Sequence, residues 1–582
     1  MPFSLSQAKS QWTRRSLLAT LSATAALAQR PNRAPYDWKG MPADLPTLID
    51  RYRTDLRAID LFYPLTYSTS RIEILRQFQN TWLKGIETVP FNKLDVEGRI
   101  DWLLLHKTIT EALADLDQDE SRWKEMESLL TFAPSLWRLE DTRQRVDPVT
   151  GRDAASTLIN ATKQISELES WLKKGPNPKP QQTVALRAHR LTLEMEANLK
   201  RWFAFYQGYD PVFEWWVKDP FDKLSKSLTT YAAVLREVGA GLKKDDKDTI
   251  VGDPVGRQVI LSNLQSEMIA YTPEELIAIA EREFLWCETE MKKAAAEMGL
   301  GDDWKAALEK VKNLHRDPGG QPKMIVDLAI EAIDFVTKRD LVTVPQLARD
   351  SWRMLMMSPE RQRINPFFLG GESIIVSFPT NTMTHEEKLM SMRGNNEHFA
   401  RATVHHELIP GHNLQRFYNL RYRPYRQLFN TPFWVEGWAL WWEMLLWDLN
   451  FARNAEDKVG MLFWRMHRCA RIVFSLRFHL GLMNAQECVD FLVNRVGHER
   501  DNAAAEVRRS FEGTYPPLYQ AAYMLGGLQI RGLYRELVIN GKMSPRAFHD
   551  QILEGNYMPI EMVRARLTST KLEKDFKATW RF

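Results

Sequence analysis

Val404-His405-His406-Glu407-Leu408-Ile409-Pro410-Gly411-His412 is the stretch on which the reading of this chain turns. Three of the 12 histidines fall within it, beside a glutamate. Asn395 to Ile409 reads as a helix, so the cluster sits at that helix's carboxyl end. Zinc peptidases commonly carry H-E-x-x-H, which puts two ligands at i and i+4 on one helical face and makes the glutamate a general base. Here the i+4 position from His406 is Pro410, and the next histidine is at i+6. On a straight helix those side chains would point about 120° apart and be separated by about 9 Å of rise. Two imidazoles so placed cannot both reach an ion at roughly 2.0–2.1 Å. His405 and His412, at i+7, share a face but stand about 10.5 Å apart along the axis. Pro410 removes an amide donor and Gly411 permits unusual dihedrals. A two-residue bulge at Pro410-Gly411 would restore an effective i,i+4 pair. The alternative is a kinked helix with surface histidines.

A zinc site needs a third protein ligand and an open position. Twenty-four residues past His412 comes Glu436, in Thr431-Pro432-Phe433-Trp434-Val435-Glu436-Gly437-Trp438-Ala439-Leu440-Trp441-Trp442-Glu443. Thr431 and Pro432 start a helix that is apolar nearly all round and therefore expected to be buried. A carboxylate buried there costs several kcal/mol unless it is paired or coordinates a cation. A metal is the simplest partner for Glu436; one of the many arginines is the other. Glu443, seven residues on along the same face, is a second candidate ligand or an orienting group. His405 is an alternative ligand.

Outward from this site, the composition is that of a soluble helical protein. Of 582 residues, 44% are hydrophobic and 26% charged, and the 28 glycines and 29 prolines are few for such a length. Length alone suggests about three or four domains, though helical enzymes often form one large body. Lys+Arg 78 against Asp+Glu 74 leaves +4, with no long block of like charge. A nucleic-acid partner would need a concentrated basic face, so that class is set aside. Cys287, Cys469 and Cys488 are too few and too far apart for a disulfide framework or a cysteine zinc site. Residues 1–28 read as an export leader: Arg14-Arg15 opens a short apolar stretch that ends in Ala26-Leu27-Ala28. The paired arginines look like a twin-arginine signal, and a Sec-type leader is the alternative. Either implies a bacterial protein exported to the periplasm or beyond. The mature chain shows no membrane span.

Helix follows helix from Asp44, with Ile100–Leu116 strongly periodic and residues 173–182 a loop. A seam at 251–256 divides an amino-terminal helical region, 29–250, from a catalytic region, 251–582. Thr272-Pro273-Glu274-Glu275 is a helix start with a capping box, and its helix should run to about Met298. Strand signals appear at Leu341–Val344, Trp352–Met357 and Ser373–Phe378. The fold class is mainly α with a small sheet near the site. The strand Ser373–Phe378, which includes Ser377, offers an edge for an extended peptide.

Taken together, these motifs resemble the bacterial family called domain of unknown function 885, whose pattern is H-E-x-x-P-G-H-x-x-Q, then E-G-W-A-x-x-x-E, then Y-x-x-G. This chain has His406-Glu407-x-x-Pro410-Gly411-His412-x-x-Gln415, Glu436-Gly437-Trp438-Ala439-x-x-x-Glu443 and Tyr523-x-x-Gly526. The resemblance spans roughly Val251 to Leu537. It implies a large multi-helix body similar to angiotensin-converting-enzyme-like and oligopeptidase metallopeptidases, which place a glutamate ligand about two dozen residues after their second histidine. The family often shows R-L-x-x-D-x-G-x-H downstream. Here Arg471 to His479 keeps the histidine but has Ser475 for the acid and Arg477 for the glycine.

The expected chemistry is hydrolysis. One Zn²⁺ per chain on His406, His412 and Glu436 would lower the pKa of water, with Glu407 as base and His479 or Tyr523 as donor to the oxyanion. Arg509 and Arg535 are candidates for gripping a substrate carboxylate. Iron, manganese or cobalt would also fit the N,N,O set. The expected substrate is a peptide; a small amide or ester, or a helical binding protein without catalysis, are the competing readings.

Overall fold

The computed structural model describes residue 38 and residues 44–246, 248–362, 367–512 and 515–582. The leader expected at 1–28 lies outside the described residues. The fold is mainly helical, with one two-stranded parallel sheet. Among the described residues no helix is long and apolar enough to cross a membrane. Cys287, Cys469 and Cys488 are all buried and free.

The chain divides into two compact units, one containing 54–85 and 112–246, the other 44–53, 86–111 and 248–582. The boundary near residue 247 lies close to the seam expected at 251–256. A single cut there is nonetheless too simple, because 44–53 and 86–111 belong with the second unit. Arg426 shows why: it is fully buried and donates to Asp101 Oδ1 at 2.7 Å and Glu97 Oε2 at 2.7 Å. The first unit is a helical bundle whose helices Gly151–Lys173, Gln182–Tyr206 and Pro211–Val234 enclose Leu158, Ala188, Trp202, Phe213 and Tyr231. The loop expected at 173–182 separates the first two of these helices.

In the second unit, the capping box at Thr272 forms as expected. Its side chain accepts from Glu275 N–H at 3.2 Å, and Glu275 Oε2 accepts from Thr272 N–H at 2.8 Å. The helix it starts, α1, is Pro273–Glu297. There follow α2 (Gln321–Lys338), β1 (Arg353–Met356), β2 (Ser373–Val376), α3 (Glu397–Glu407), α4 (His412–Asn419), α5 (Pro432–Asp448), α6 (Ala455–His479), α7 (Arg500–Phe511) and α8 (Tyr519–Tyr534). Helix α6 is buried at almost every position and packs on α1, α3 and α8. Ile325 and Leu328 of α2 join Ile374 and Val376 of β2 and Ala400 and Val404 of α3 in one apolar cluster, which fixes the approach of α3 to the site.

The sheet departs from expectation in two respects. Leu341–Val344 is not a strand: Leu341 and Val342 are buried just after α2, and Thr343 N–H donates to the Asp550 carboxylate at 2.8 Å, so side chains take the place of a ladder. Nor is β2 an open edge. It pairs with β1 along one side, and on the other Ile375 exchanges both backbone hydrogen bonds with Leu369. Ser377 is buried and donates to Gln362 Oε1 at 2.9 Å, so it is not available to a peptide.

Helices α5 and α8 cross glycine to glycine. A Cβ on Gly437 would lie 2.6 Å from Gly526 backbone atoms, and one on Gly526 would lie 2.2 Å from Phe433 O. Backbone cannot yield as a side chain can. Gly526→Ala is therefore expected to lower stability by at least about 1–3 kcal/mol, the usual cost of overpacking. Gly527→Ala, whose Cβ would meet only Leu440 and Met444 side-chain atoms at 3.2 Å and beyond, should cost less. Urea denaturation midpoints of the two variants would order them, and equal midpoints would contradict this packing.

Candidate metal centre

The Pro-Gly step is a break between two helices, not a bulge inside one. Asn396 caps α3 by accepting from His398 and Phe399 N–H, and α3 ends at Glu407, two residues short of the expected Ile409. The chain passes through a cis Ile409–Pro410 peptide and restarts as α4 at His412. Gly411 N–H donates to His405 O at 2.9 Å and Asn413 N–H to Leu408 O at 3.0 Å, so backbone hydrogen bonds span the break. Trp438 Nε1 of α5 holds the Pro410 carbonyl at 2.9 Å. A Cβ on Gly411 would fall 1.9 Å from His406 O, so only glycine lets the chain fold back this tightly. The result brings the His406 and His412 rings to 4.8 Å, with planes at 89°.

Glu436 arrives from α5. Its Oε2 lies 3.2 Å from His412 Nε2 and 3.6 Å from His406 Nε2. Two ligands bound at roughly 2.0–2.1 Å in tetrahedral array are about 3.3–3.4 Å apart, and the observed pair of distances brackets that edge. Glu436 Oε2 is buried, makes no hydrogen bond and faces the two imidazole nitrogens, and a buried carboxylate is costly unless it is paired or coordinates a cation. One oxygen accounted for and one left facing two imidazole nitrogens is a donor set that fits a divalent cation. Among the described residues, ligand atoms of His406, Glu407 and His412 also gather within 4.8 Å.

The candidate ligands are held from behind. Tyr519 OH donates to Glu436 Oε1 at 2.7 Å. Glu443 Oε1 lies 2.7 Å from His406 Nδ1, on the side of the ring away from Glu436, so that Nε2 is the nitrogen turned to the site. Carboxylate support of this kind is usual for metal-binding histidines. Glu443 thus stands where an orienting group would, behind His406. Gln415 Nε2 donates to Trp434 O at 3.2 Å, and its Oε1 lies 3.4 Å from His412 Nδ1. Burial opposes charge on His406, but Glu436 and Glu443 outweigh it and push it up to about 9. Burial likewise opposes charge on Glu436, yet His412 and His406 hold it well below the usual carboxylate range. Burial pushes Glu407 up. Gly370 lies directly against Glu407, where a Cβ would come within 2.0 Å of Oε2.

These groups open into a cavity of about 520 Å³ lined also by Arg468, Arg509, Tyr519 and Tyr523. That is within the range of small-ligand sites. Of the residues expected from sequence, His406, Glu407, His412, Glu436, Tyr523 and Arg509 come together here. Glu443 stands directly behind His406. His405 does not join: its ring is buried and packs edge-on against Phe451. His479 is three turns of α6 beyond Arg468, against Phe478 and Phe511, and does not line the cavity. Arg535 is exposed beyond α8 and is also outside it. Ser377 lines a separate, smaller cavity. The sequence reading missed Tyr519, Arg468 and Glu506. Tyr519 is one helical turn before Tyr523, and Arg468 stands one turn before Arg471 on a helix that is buried almost throughout, so spacing and the oddity of buried charge were the available signals.

A mainly helical protein with a buried two-histidine, one-glutamate centre is the class these observations define. The chain belongs to the family described as bacterial protein of unknown function, domain of unknown function 885, whose model matches residues 65–567. The match takes in much of the amino-terminal region as well as 251–537. Two solved structures share the fold. One, from Shewanella oneidensis, is a candidate lipoprotein of unknown function, 16% identical over 90% of this chain and 100% of that one, with a TM-score of 0.67. The other, a candidate lipoprotein from Colwellia psychrerythraea, is 14% identical over 92% of this chain and 99% of that one, with a TM-score of 0.56. No curated protein matches the chain.

Behind the cavity wall, His498 Nε2 and His467 Nδ1 lie 2.9 Å apart, both buried. Burial pushes His498 down to about 3 and, with Arg471 beside it, holds His467 well below the ordinary value. A histidine that stays neutral when folded contributes stability in full above its unfolded value of about 6.5, and loses it as pH falls from there towards its folded value. Between pH 7.5 and 5, His498→Gln should therefore lose about 1–2 kcal/mol less unfolding free energy than the wild type. Identical losses in urea titrations at the two pH values would contradict the neutral assignment.

Proposed function

We propose that this protein is an exported metal-dependent hydrolase, with one Zn²⁺ held by His406, His412 and Glu436, that cleaves peptide bonds. The observation that carries the reading is Glu436 Oε2, buried without a hydrogen bond and set one tetrahedral edge from both imidazoles. The bound ion supplies Lewis acidity and lowers the pKa of water towards neutrality. Glu407, on the cavity side of α3, takes a proton from water as its oxygen attacks the peptide carbonyl carbon. The same carboxyl returns that proton to the amine nitrogen as the C–N bond breaks. Tyr523 lies parallel to the His406 ring at 6.3 Å, and burial keeps its hydroxyl protonated. It is the donor to the carbonyl oxygen as charge develops there, the role that His479 is too distant to fill. Glu443 and Tyr519 keep His406 and Glu436 in register.

Two further observations support the reading. Glu436 comes twenty-four residues after His412, close to the spacing of about two dozen in angiotensin-converting-enzyme-like and oligopeptidase metallopeptidases. The leader expected at 1–28 and the candidate lipoproteins that share the fold favour a place outside the cytoplasm.

Glu407→Gln is expected to retain the metal and lower turnover of a peptide library by roughly 10²–10⁴-fold, the range of general-base catalysis. Unchanged turnover would remove Glu407 from the reaction, and no turnover by the zinc-loaded wild type would overturn the hydrolase reading. Tyr519→Phe and Glu443→Gln should weaken zinc about 10–100-fold in chelator competition. Wild-type affinity in both would contradict their supporting role.

A further inference from the structure

The wall of the cavity beside Tyr523 is built around guanidinium groups. Three guanidinium groups meet there, those of Arg468 and Arg471 on α6 and Arg509 on α7. Two carboxylates answer them. Glu506 Oε1 accepts from Arg471 Nε at 2.7 Å, its Oε2 lies 2.8 Å from Arg509 Nε, and Gln520 adds a third contact at 3.0 Å. Glu443 Oε1 accepts from Arg468 Nη2 at 3.3 Å while also serving His406. The nearby His467 and His498 add no charge, being held neutral. Arg468 is 5% exposed, lines the cavity, and leaves its Nε without a hydrogen bond. Arg471 Nη1 is likewise buried and unpartnered. Among the described residues no hydrogen bond engages either Nη of Arg509, which also lines the cavity. Buried guanidinium N–H groups without acceptors are costly, and a planar fork of donors matches a carboxylate.

We propose that Arg468 and Arg509 form a subsite for a carboxylate of the substrate, which makes the protein select peptides carrying a free carboxylate close to the scissile bond. This rests on the hydrolase reading for the ligand being a peptide. The distance is suitable. The Tyr523 ring lies 6.3 Å from the His406 ring and 4.8 Å from the Arg468 guanidinium carbon. The subsite is therefore within about three extended residues of the cluster, at ~3.5 Å each. Either a terminal α-carboxylate or an aspartate side chain supplies the same chemistry.

The test uses zinc-loaded Glu407→Gln protein, so that binding is read without turnover. N-acetyl-alanyl-alanyl-alanine, its carboxamide, and N-acetyl-alanyl-aspartyl-alaninamide are titrated by calorimetry. The free acid should bind about tenfold or more tighter than the carboxamide. Arg509→Gln in the same background should bring that ratio close to one, and Arg509→Lys should restore part of it. Arg509→Gln must keep its melting temperature, and Arg468→Lys serves as the second variant if it does not. The aspartyl amide distinguishes the sources: binding like the acid assigns a side-chain carboxylate, and binding like the carboxamide assigns the terminus. Equal affinity for acid and carboxamide, or no binding of either, overturns the subsite. Cleavage by the wild-type protein is measured separately, so peptide turnover with no acid preference would defeat only the subsite. Acid-selective binding with no turnover would defeat only the hydrolase reading.

Discussion

A carboxylate in the middle of a helix that has no polar face is the constraint around which the second unit is arranged. Glu436 sits in α5 among Phe433, Trp434, Trp438, Leu440 and Trp441, all buried. Taking its charge out of water costs several kcal/mol unless other groups or an ion compensate. Every neighbour reads as part of that compensation. Tyr519 reaches across from α8 to one oxygen, and His406 and His412 are turned to face the other. The glycines at 437 and 526 are what allow α8 to come near enough for Tyr519 to serve.

The same reasoning extends along α6. Its arginines at 465, 468 and 471 lie on a helix that is buried nearly throughout. Arg465 is matched by Glu283 and the face of Trp286, and Arg471 by Glu506. Arg468 shares the Glu443 carboxylate with His406. The His406 side and the arginine side of the cavity are therefore joined through Glu443, which touches both His406 and Arg468. A change at either side alters the charge felt by the other.

Much of this was legible in the sequence because the signals were local. The helix start at Thr272, the buried helix at Thr431 and the pairing of His406 with His412 and Glu436 followed from caps, apolar content and the cost of burying charge. What was misjudged depended on direction or on distant packing. A bulge and a break both bring i and i+6 together, and only the fit of Gly411 against the His406 carbonyl selects the break. His405 and His406 are adjacent and alike in sequence, but one faces Phe451 and the other Glu436. His479 shares a helix with Arg468, yet three turns of rise carry it away from the cavity. Strand Ser373–Val376 was recognised, whereas the closing of its second edge by Leu369 came from a segment with no strand pattern. Nothing local marks residues 86–111 as part of the second unit; that depends on Arg426 finding Asp101 and Glu97 across more than 300 residues of chain.

The central claim is that Glu436 is balanced by a metal ion and not by protonated imidazoles. Elemental analysis of the purified mature chain, wild type beside His412→Ala, addresses it most directly. The account predicts about one zinc per wild-type chain and near none in the variant, with both proteins folded. A wild-type chain that holds no metal after dialysis against zinc would contradict it.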